Sequence, residues 1–330
     1  MRVTVVRALL AACLAVLALA QAAAAASPEK LLAKHQPVTV FTPLESFRPT
    51  SVETFVADSN LEVLNGPNLL TDWTVMDPAP QASSLPSSSP TLLRLNQRAC
   101  SPVLGLAGLS CYLSSWSAHA APSVAYGRVV TAGDKTVLQY WYFYYDNFYS
   151  YTYPPSGFIW QAHEGDWEVV NVVLSAQDDE PLFVGYSQHC LGETRDWAKV
   201  PRWRGRHPVV YVAIGSHANY LEAGTHAIDT RCIPPQAVAL LQQFGLPLSV
   251  DFTGEGDRVG PRRLGEEVTS ILRITQTSPA WITFPGFWGE LQYFHAPTIG
   301  TVPFGGSPVG PAFHAVWQNP LGTLATWPAG

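Results

Sequence analysis

Proline and glycine punctuate this chain so densely, 28 and 25 among 330 residues, that long helices have little room. Proline removes a backbone donor and fixes φ, and glycine weakens any regular element it interrupts. Short runs of β-branched and aromatic residues between such breakers are strands. Val38 to Thr42, Tyr126 to Thr131, Val137 to Tyr145, Asp166 to Leu174, Leu182 to Tyr186 and Val209 to Ile214 have that form. Helices are fewer. Thr50-Ser51-Val52-Glu53 has the form of a capping box ahead of a short helix burying Val52, Phe55 and Val56, and 235–244 opens on Pro235 and stops at Gly245. The expectation is a mainly β chain, an antiparallel β-sandwich with a few helices and long loops.

The first 26 residues have a basic start at Arg2 and Arg7, an apolar run from Ala8 to Ala20, and small residues up to Ala26. That is the pattern of an export signal, so 1–26 is expected to be removed and 27–330 to form one secreted domain. Alanine is a poor membrane residue, which argues against a stable transmembrane anchor. Losing Arg2 and Arg7 leaves 17 basic against 25 acidic residues, a formal charge of −8, so net charge attracts neither nucleic acid nor an anionic membrane. Cys100, Cys111, Cys190 and Cys232 remain, an even number with no metal-type spacing. Two disulfides are expected, Cys100 to Cys111 and Cys190 to Cys232 being favoured over the two other pairings because the first two are close in sequence. With 47% hydrophobic residues and no clear internal boundary, one large core and a monomer are expected.

The chemistry concentrates in His163-Glu164-Gly165-Asp166-Trp167-Glu168, directly before an apolar run. If Asp166 to Leu174 is a strand, Asp166 and Glu168 point one way and Trp167 and Val169 the other. His163, on the preceding turn, folds over beside the two acids. Such a cluster repels itself without a cation, and its donors suit Ca²⁺, Mg²⁺ or Mn²⁺ better than a sulfur-built Zn²⁺ site, although catalytic zinc also uses histidine and carboxylates. The competing structural reading pairs Asp166 and Glu168 with Arg202, Arg204 or Arg206.

Other candidates are softer. His217, in the turn Gly215-Ser216-His217, stands at an exposed sheet end as a general base, a metal contact or a loop anchor, and His189 ends another strand with the same ambiguity. Ser216 and His217 lack the setting of a nucleophile elbow. The aromatic run from Tyr140 to Tyr145 is core, whereas Tyr149, Tyr151 and Tyr153, near Pro154 and Pro155, read as a loop able to offer rings to a sugar or lipid head group.

Three blocks resemble the vacuolar protein sorting-associated protein 62 family, whose plant and bacterial members have unknown function: Phe41 to Glu45 with Phe47 to Glu53, Tyr140 to Tyr145 with His163 to Glu168, and His207 to Ala213 with Gly215 to Tyr220. More remotely, His163, Asp166 and Glu168 around Trp167 are similar to the signature of the necrosis- and ethylene-inducing peptide-like proteins. That resemblance implies a secreted β-sandwich holding a divalent cation with those three residues and an upstream acid, here Asp146, and binding lipid head groups. Glu164-Gly165 departs from the toxin pattern, and the span from Asp146 to His163 is longer, so toxicity does not carry over.

The functional expectation is a secreted, divalent-cation-dependent binding protein for a phosphorylated, glycan or lipid head-group ligand. Tyr149, Tyr151, Tyr153 and His189 would touch that ligand. The alternative is a metal-assisted hydrolase in which His217 or Glu164 moves the proton.

Overall fold

A computed structural model of the chain describes residues 26–153, 157–232, 238–239, 242–243, 250–261 and 267–330. The expected export signal, apart from Ala26, Pro154 and Pro155, most of the expected 235–244 helix and the Tyr153 side chain lie outside the described residues.

The molecule is mainly β and forms a β-sandwich with few helices. Its spine is one hairpin of two 19-residue strands, Lys135–Tyr153 and Gly157–Ser175. Eleven consecutive residues of the first, from Val137 to Asn147, are fully or almost fully buried, which explains why this stretch is apolar and aromatic without simple alternation. Val124–Ala132 pairs with the outer edge of the first strand. The second strand is long enough to take two neighbours, Leu291–Ala296 beside Trp160 to Ala162 and Pro181–Gln188 beside Val170 to Leu174. The sheet is completed by Gly300–Gly306, Leu191–Asp196 and Ser270–Arg273, the last pairing parallel to Val124–Ala132.

Each face of the hairpin carries a different layer. On one, Phe143 meets Phe55 at 5.1 Å and Trp167 at 4.7 Å between ring centroids, and Trp281 and Trp288 close around Trp167. The Phe55 side belongs to the helix Val52–Asp58 and to a four-stranded sheet that includes Ser59–Leu64 and Leu93–Gln97. On the other face lies a mixed sheet in which Val38–Phe41 runs parallel to His207–Val212, and Asn219–Tyr220 folds back on the latter.

Several boundaries differ from the sequence expectation. The hairpin strand continues to Tyr153 instead of ending at Tyr145, because the partner segment from Gly157 pairs with it along its whole length. His163 therefore stands inside a strand and not on a turn. The short helix is capped by Ser51, whose Oγ accepts from the Thr54 amide at 3.2 Å, one residue later than the Thr50 capping box. Both expected disulfides are formed, Cys100 to Cys111 and Cys190 to Cys232.

Candidate functional site

Alternation along the Gly157–Ser175 strand reverses at Gly165. Glycine there has φ +56°, a left-handed conformation, and a Cβ would stand 2.4 Å from the Trp288 carbonyl oxygen. Without the reversal, Glu164, Asp166 and Glu168 would all share one face. With it, Glu164 turns to the Phe55 side, while His163 joins Asp166 and Glu168 in lining a cavity of about 440 Å³ on the other. The Gly165 carbonyl also accepts a hydrogen bond from His163 Nδ1 at 2.8 Å, which fixes the ring and leaves Nε2 for a ligand. Burial lowers the His163 pKa despite the Asp166 charge, favouring a neutral imidazole.

The two carboxylates are held from behind by residues distant in sequence. Asp166 accepts from His217 Nδ1 at 3.0 Å. The same ring lies 3.5 Å from the Glu45 carboxylate through Nε2 and stacks flat on Tyr144. Glu45 is itself fixed by the amides of Phe47 at 2.7 Å and Gly215 at 2.6 Å. Burial works against a charged His217, but Glu45 and Asp166 outweigh it and raise its pKa to about 9. Glu168 accepts hydrogen bonds from Ser187 and Asn219. Its burial, with the neighbouring charges of Asp166 and Asp251, pushes its carboxyl well above the ordinary range. None of Arg202, Arg204 and Arg206 pairs with either acid; Arg202, for instance, bonds the Trp197 carbonyl.

The remaining candidates separate. Glu164 is fully buried on the opposite face, accepting from Tyr112 Oη at 2.8 Å and from the amides of Gln97 and Glu290. Burial, then Glu290, raises its pKa to about 8. Asp146 is its cross-strand partner, fully buried with neither carboxylate oxygen hydrogen-bonded, and does not line the cavity. His217, expected at an exposed sheet end, is fully buried between Glu45 and Asp166 and likewise does not line it. Tyr149 and His189 do line it, Tyr149 with its hydroxyl on the backbone of Val250; Tyr151 does not, and is half-buried against the apolar cluster of Ile159 and Phe294, of which Phe294 reaches the cavity.

Sequence reasoning gave no role to Glu45, Ser187 or Asp251, and placed Asn219 only as a partner that a His217 loop anchor would hold. Asp251 is fully buried and accepts from Ser216, Tyr220 and His189. An acid between Val250 and Phe252 in a short β-branched run was the available signal. Ser187 carried none.

A divalent cation fits the chemistry of the donor set at the cavity wall: an imidazole held by a backbone carbonyl and two carboxylates that repel one another. Among the described residues, no three His, Cys, Asp or Glu side chains are already drawn into a metal-holding group. Among the described residues, too, no helix is long and apolar enough to cross a membrane.

No family model matches the chain. It is 28% identical over 194 residues to vacuolar protein sorting-associated protein 62 of Saccharomyces cerevisiae, covering 52% of this chain and 38% of that protein. Over 300 residues it is 25% identical to the putative vacuolar protein sorting-associated protein TDA6 of the same yeast, covering 78% and 59%. The chain thus spans less than two thirds of the length of each of these curated relatives. Among solved structures it is similar to Necrosis and Ethylene inducing Protein 2 from the causal agent of cocoa's witches' broom disease, at 18% identity and a TM-score of 0.30, over 60% of this chain and 69% of that one. The resemblance that the curated relatives carry is to the vacuolar protein sorting-associated protein 62 group.

Proposed function

We propose that the protein is an exported binding module whose cavity takes a phosphorylated, glycan or lipid head-group ligand through a divalent cation held by His163, Asp166 and Glu168. The carrying observation is the Gly165 reversal, which brings an oriented imidazole and two mutually repelling carboxylates to one cavity wall. When bound, the cation would supply positive charge to ligand oxygens, with Ca²⁺, Mg²⁺ or Mn²⁺ favoured over Zn²⁺ by the oxygen-rich donors. His163 offers Nε2, and Asp166 and Glu168 offer oxygens whose other contacts are His217, Ser187 and Asn219. Two disulfides support work outside a reducing compartment.

Binding is favoured over hydrolysis by the placement of the two candidate bases. A base must come within hydrogen-bond reach of the attacking water. Glu164 faces the opposite layer, and His217 is enclosed between two carboxylates and a tyrosine ring.

Calorimetric titration with Ca²⁺, Mg²⁺, Mn²⁺ and Zn²⁺, on wild type and on Asp166→Ala/Glu168→Ala checked for folding by circular dichroism, tests the reading. One ion per wild-type chain and none in the folded variant is the expected result. Equal uptake by both, or by neither, defeats it.

A further inference from the structure

Resting on the cation-dependent reading above, we propose that His189 is the anion-holding residue of the same cavity, donating from Nδ1 to the phosphoryl group of a phosphorylated organic ligand. The ligand's other phosphoryl oxygens would face the cation.

His189 follows the Pro181–Gln188 strand in a left-handed conformation, φ +56°, which turns its ring back to the cavity wall. Its Nε2 is 2.7 Å from Asp251 Oδ2. Asp251 cannot shift to follow another partner, because Ser216 Oγ and Tyr220 Oη also donate to it, each at 2.7 Å. It sits in Val250–Thr253, paired along its length with Gly224–Ala227. In its protonated form, an imidazole with Nε2 so engaged presents Nδ1–H as its remaining donor, and among the described residues no acceptor takes that hydrogen.

Charge points the same way. No lysine or arginine is among the described residues that line the cavity, but three histidines are: His163, His189 and His314. Burial lowers the pKa of His163 and His314. At His189 burial acts in that direction too, yet the Asp251 charge and hydrogen bond prevail and raise it. Asp251 is correspondingly held below its ordinary range against its own burial. Of the three, His189 is thus the one whose protonated form its surroundings favour, and a cation on Asp166 and Glu168 would cancel the acidic charge that otherwise repels an anion.

The ligand's organic part is set by size and by the facing wall. About 440 Å³ far exceeds one phosphate group and suits a small organic molecule. Phe294, Val302 and Phe304 form the apolar wall, with Phe294 and Phe304 at 5.7 Å between ring centroids.

The test is calorimetry of wild type and His189→Asn, an exchange that tolerates the left-handed backbone. The probes are Ca²⁺ alone and Mg²⁺ alone, then orthophosphate, glycerol 3-phosphate and dihexanoylphosphatidic acid on cation-saturated protein. We expect unchanged cation affinity in the variant and at least a tenfold loss for the phosphoryl probes. Tighter binding of dihexanoylphosphatidic acid than of glycerol 3-phosphate would assign the ligand to the lipids, and equal binding to water-soluble phosphoesters; both support the proposal. A wild type that holds its cation but no phosphoryl probe overturns it alone, as does a folded variant with undiminished phosphoryl binding. A wild type that takes up no cation overturns the preceding reading and this one with it.

Discussion

His217 donates from Nδ1 to the Asp166 carboxylate at 3.0 Å while its ring lies on Tyr144 with centroids 3.9 Å apart and planes 2° from parallel. Stacking fixes the ring plane, and Glu45 at the far nitrogen fixes the charge. The buried triplet is thus a rigid backing for the one acid it shares with the cavity. Its left-handed backbone, φ +54°, shows that the fold holds an unfavourable conformation to place this ring.

This arrangement makes stability pH-dependent on the alkaline side. The folded pKa is about 9 against an ordinary 6.5, raised by Glu45 and Asp166 against burial. The stabilisation is therefore fully present below 6.5 and is lost as pH rises through about 9. Its full size is on the order of 3 kcal/mol at ~1.4 kcal/mol per pKa unit. Urea unfolding from pH 6 to 10, with chelator present, should show this decline in wild type and a much flatter profile in His217→Gln. Parallel profiles would refute the ion-paired triplet.

Gly165→Ala should destabilise more than Gly133→Ala. Both glycines are left-handed, φ +56° and +62°, so both substitutions incur about 1–2 kcal/mol. Only at Gly165 does the new Cβ meet an atom, the Trp288 oxygen at 2.4 Å; at Gly133 nothing lies within 4 Å. Thermal unfolding of the two variants separates conformational strain from close approach. Equal losses would mean that the backbone does not pass Trp288 as described.

That glycine also marks where sequence reasoning stopped. The strand from Asp166 to Leu174, and the shared face of Asp166 and Glu168, follow from period-two alternation, and both are present. The reversal one residue earlier does not follow from any pattern, because a left-handed glycine inside a paired strand looks the same in sequence as a glycine in a turn. His163 was expected beside the acids and lines the same cavity, whereas Glu164 moved to the other layer. Glu45 and Asp251 were illegible as partners for a different reason: they reach His217 and His189 only through contacts 172 and 62 residues apart in sequence. Pro and Gly density fixed the β class, but not the parallel pairings of the second sheet, which depend on those same long-range contacts.

The two disulfides should contribute unequally. In the chain-entropy account, stabilisation grows with the loop closed. Cys190 to Cys232 spans 42 residues and Cys100 to Cys111 spans 11. Replacing both cysteines by serine should cost about 4 kcal/mol for the first pair and about 3 kcal/mol for the second. Equilibrium denaturation of the two double variants gives the order. A larger loss at the short loop would show that native packing, not loop closure, dominates.

Glu164→Gln should shift the balance of stability with pH in a way that isolates the buried acid. Burial, reinforced by Glu290, raises the folded pKa to about 8 from an ordinary 4.5. Below 4.5 the carboxyl is neutral in both folded and unfolded chains, and its three donors are then the only difference from glutamine. From 4.5 up to about 8 the unfolded chain is ionised while the folded protein keeps the carboxyl protonated, so wild type loses stability over that window that the variant keeps, and the loss levels off above about 8. The amide retains one oxygen for Tyr112 or the Gln97 and Glu290 amides, but its nitrogen meets those donors head-on, a constant cost at every pH. The informative quantity is therefore the difference in melting temperature between variant and wild type, followed from pH 4 to 9. It should rise with pH, whatever its starting sign, and a flat difference would mean that Glu164 is already ionised in the folded protein, held by its three donors in spite of its burial.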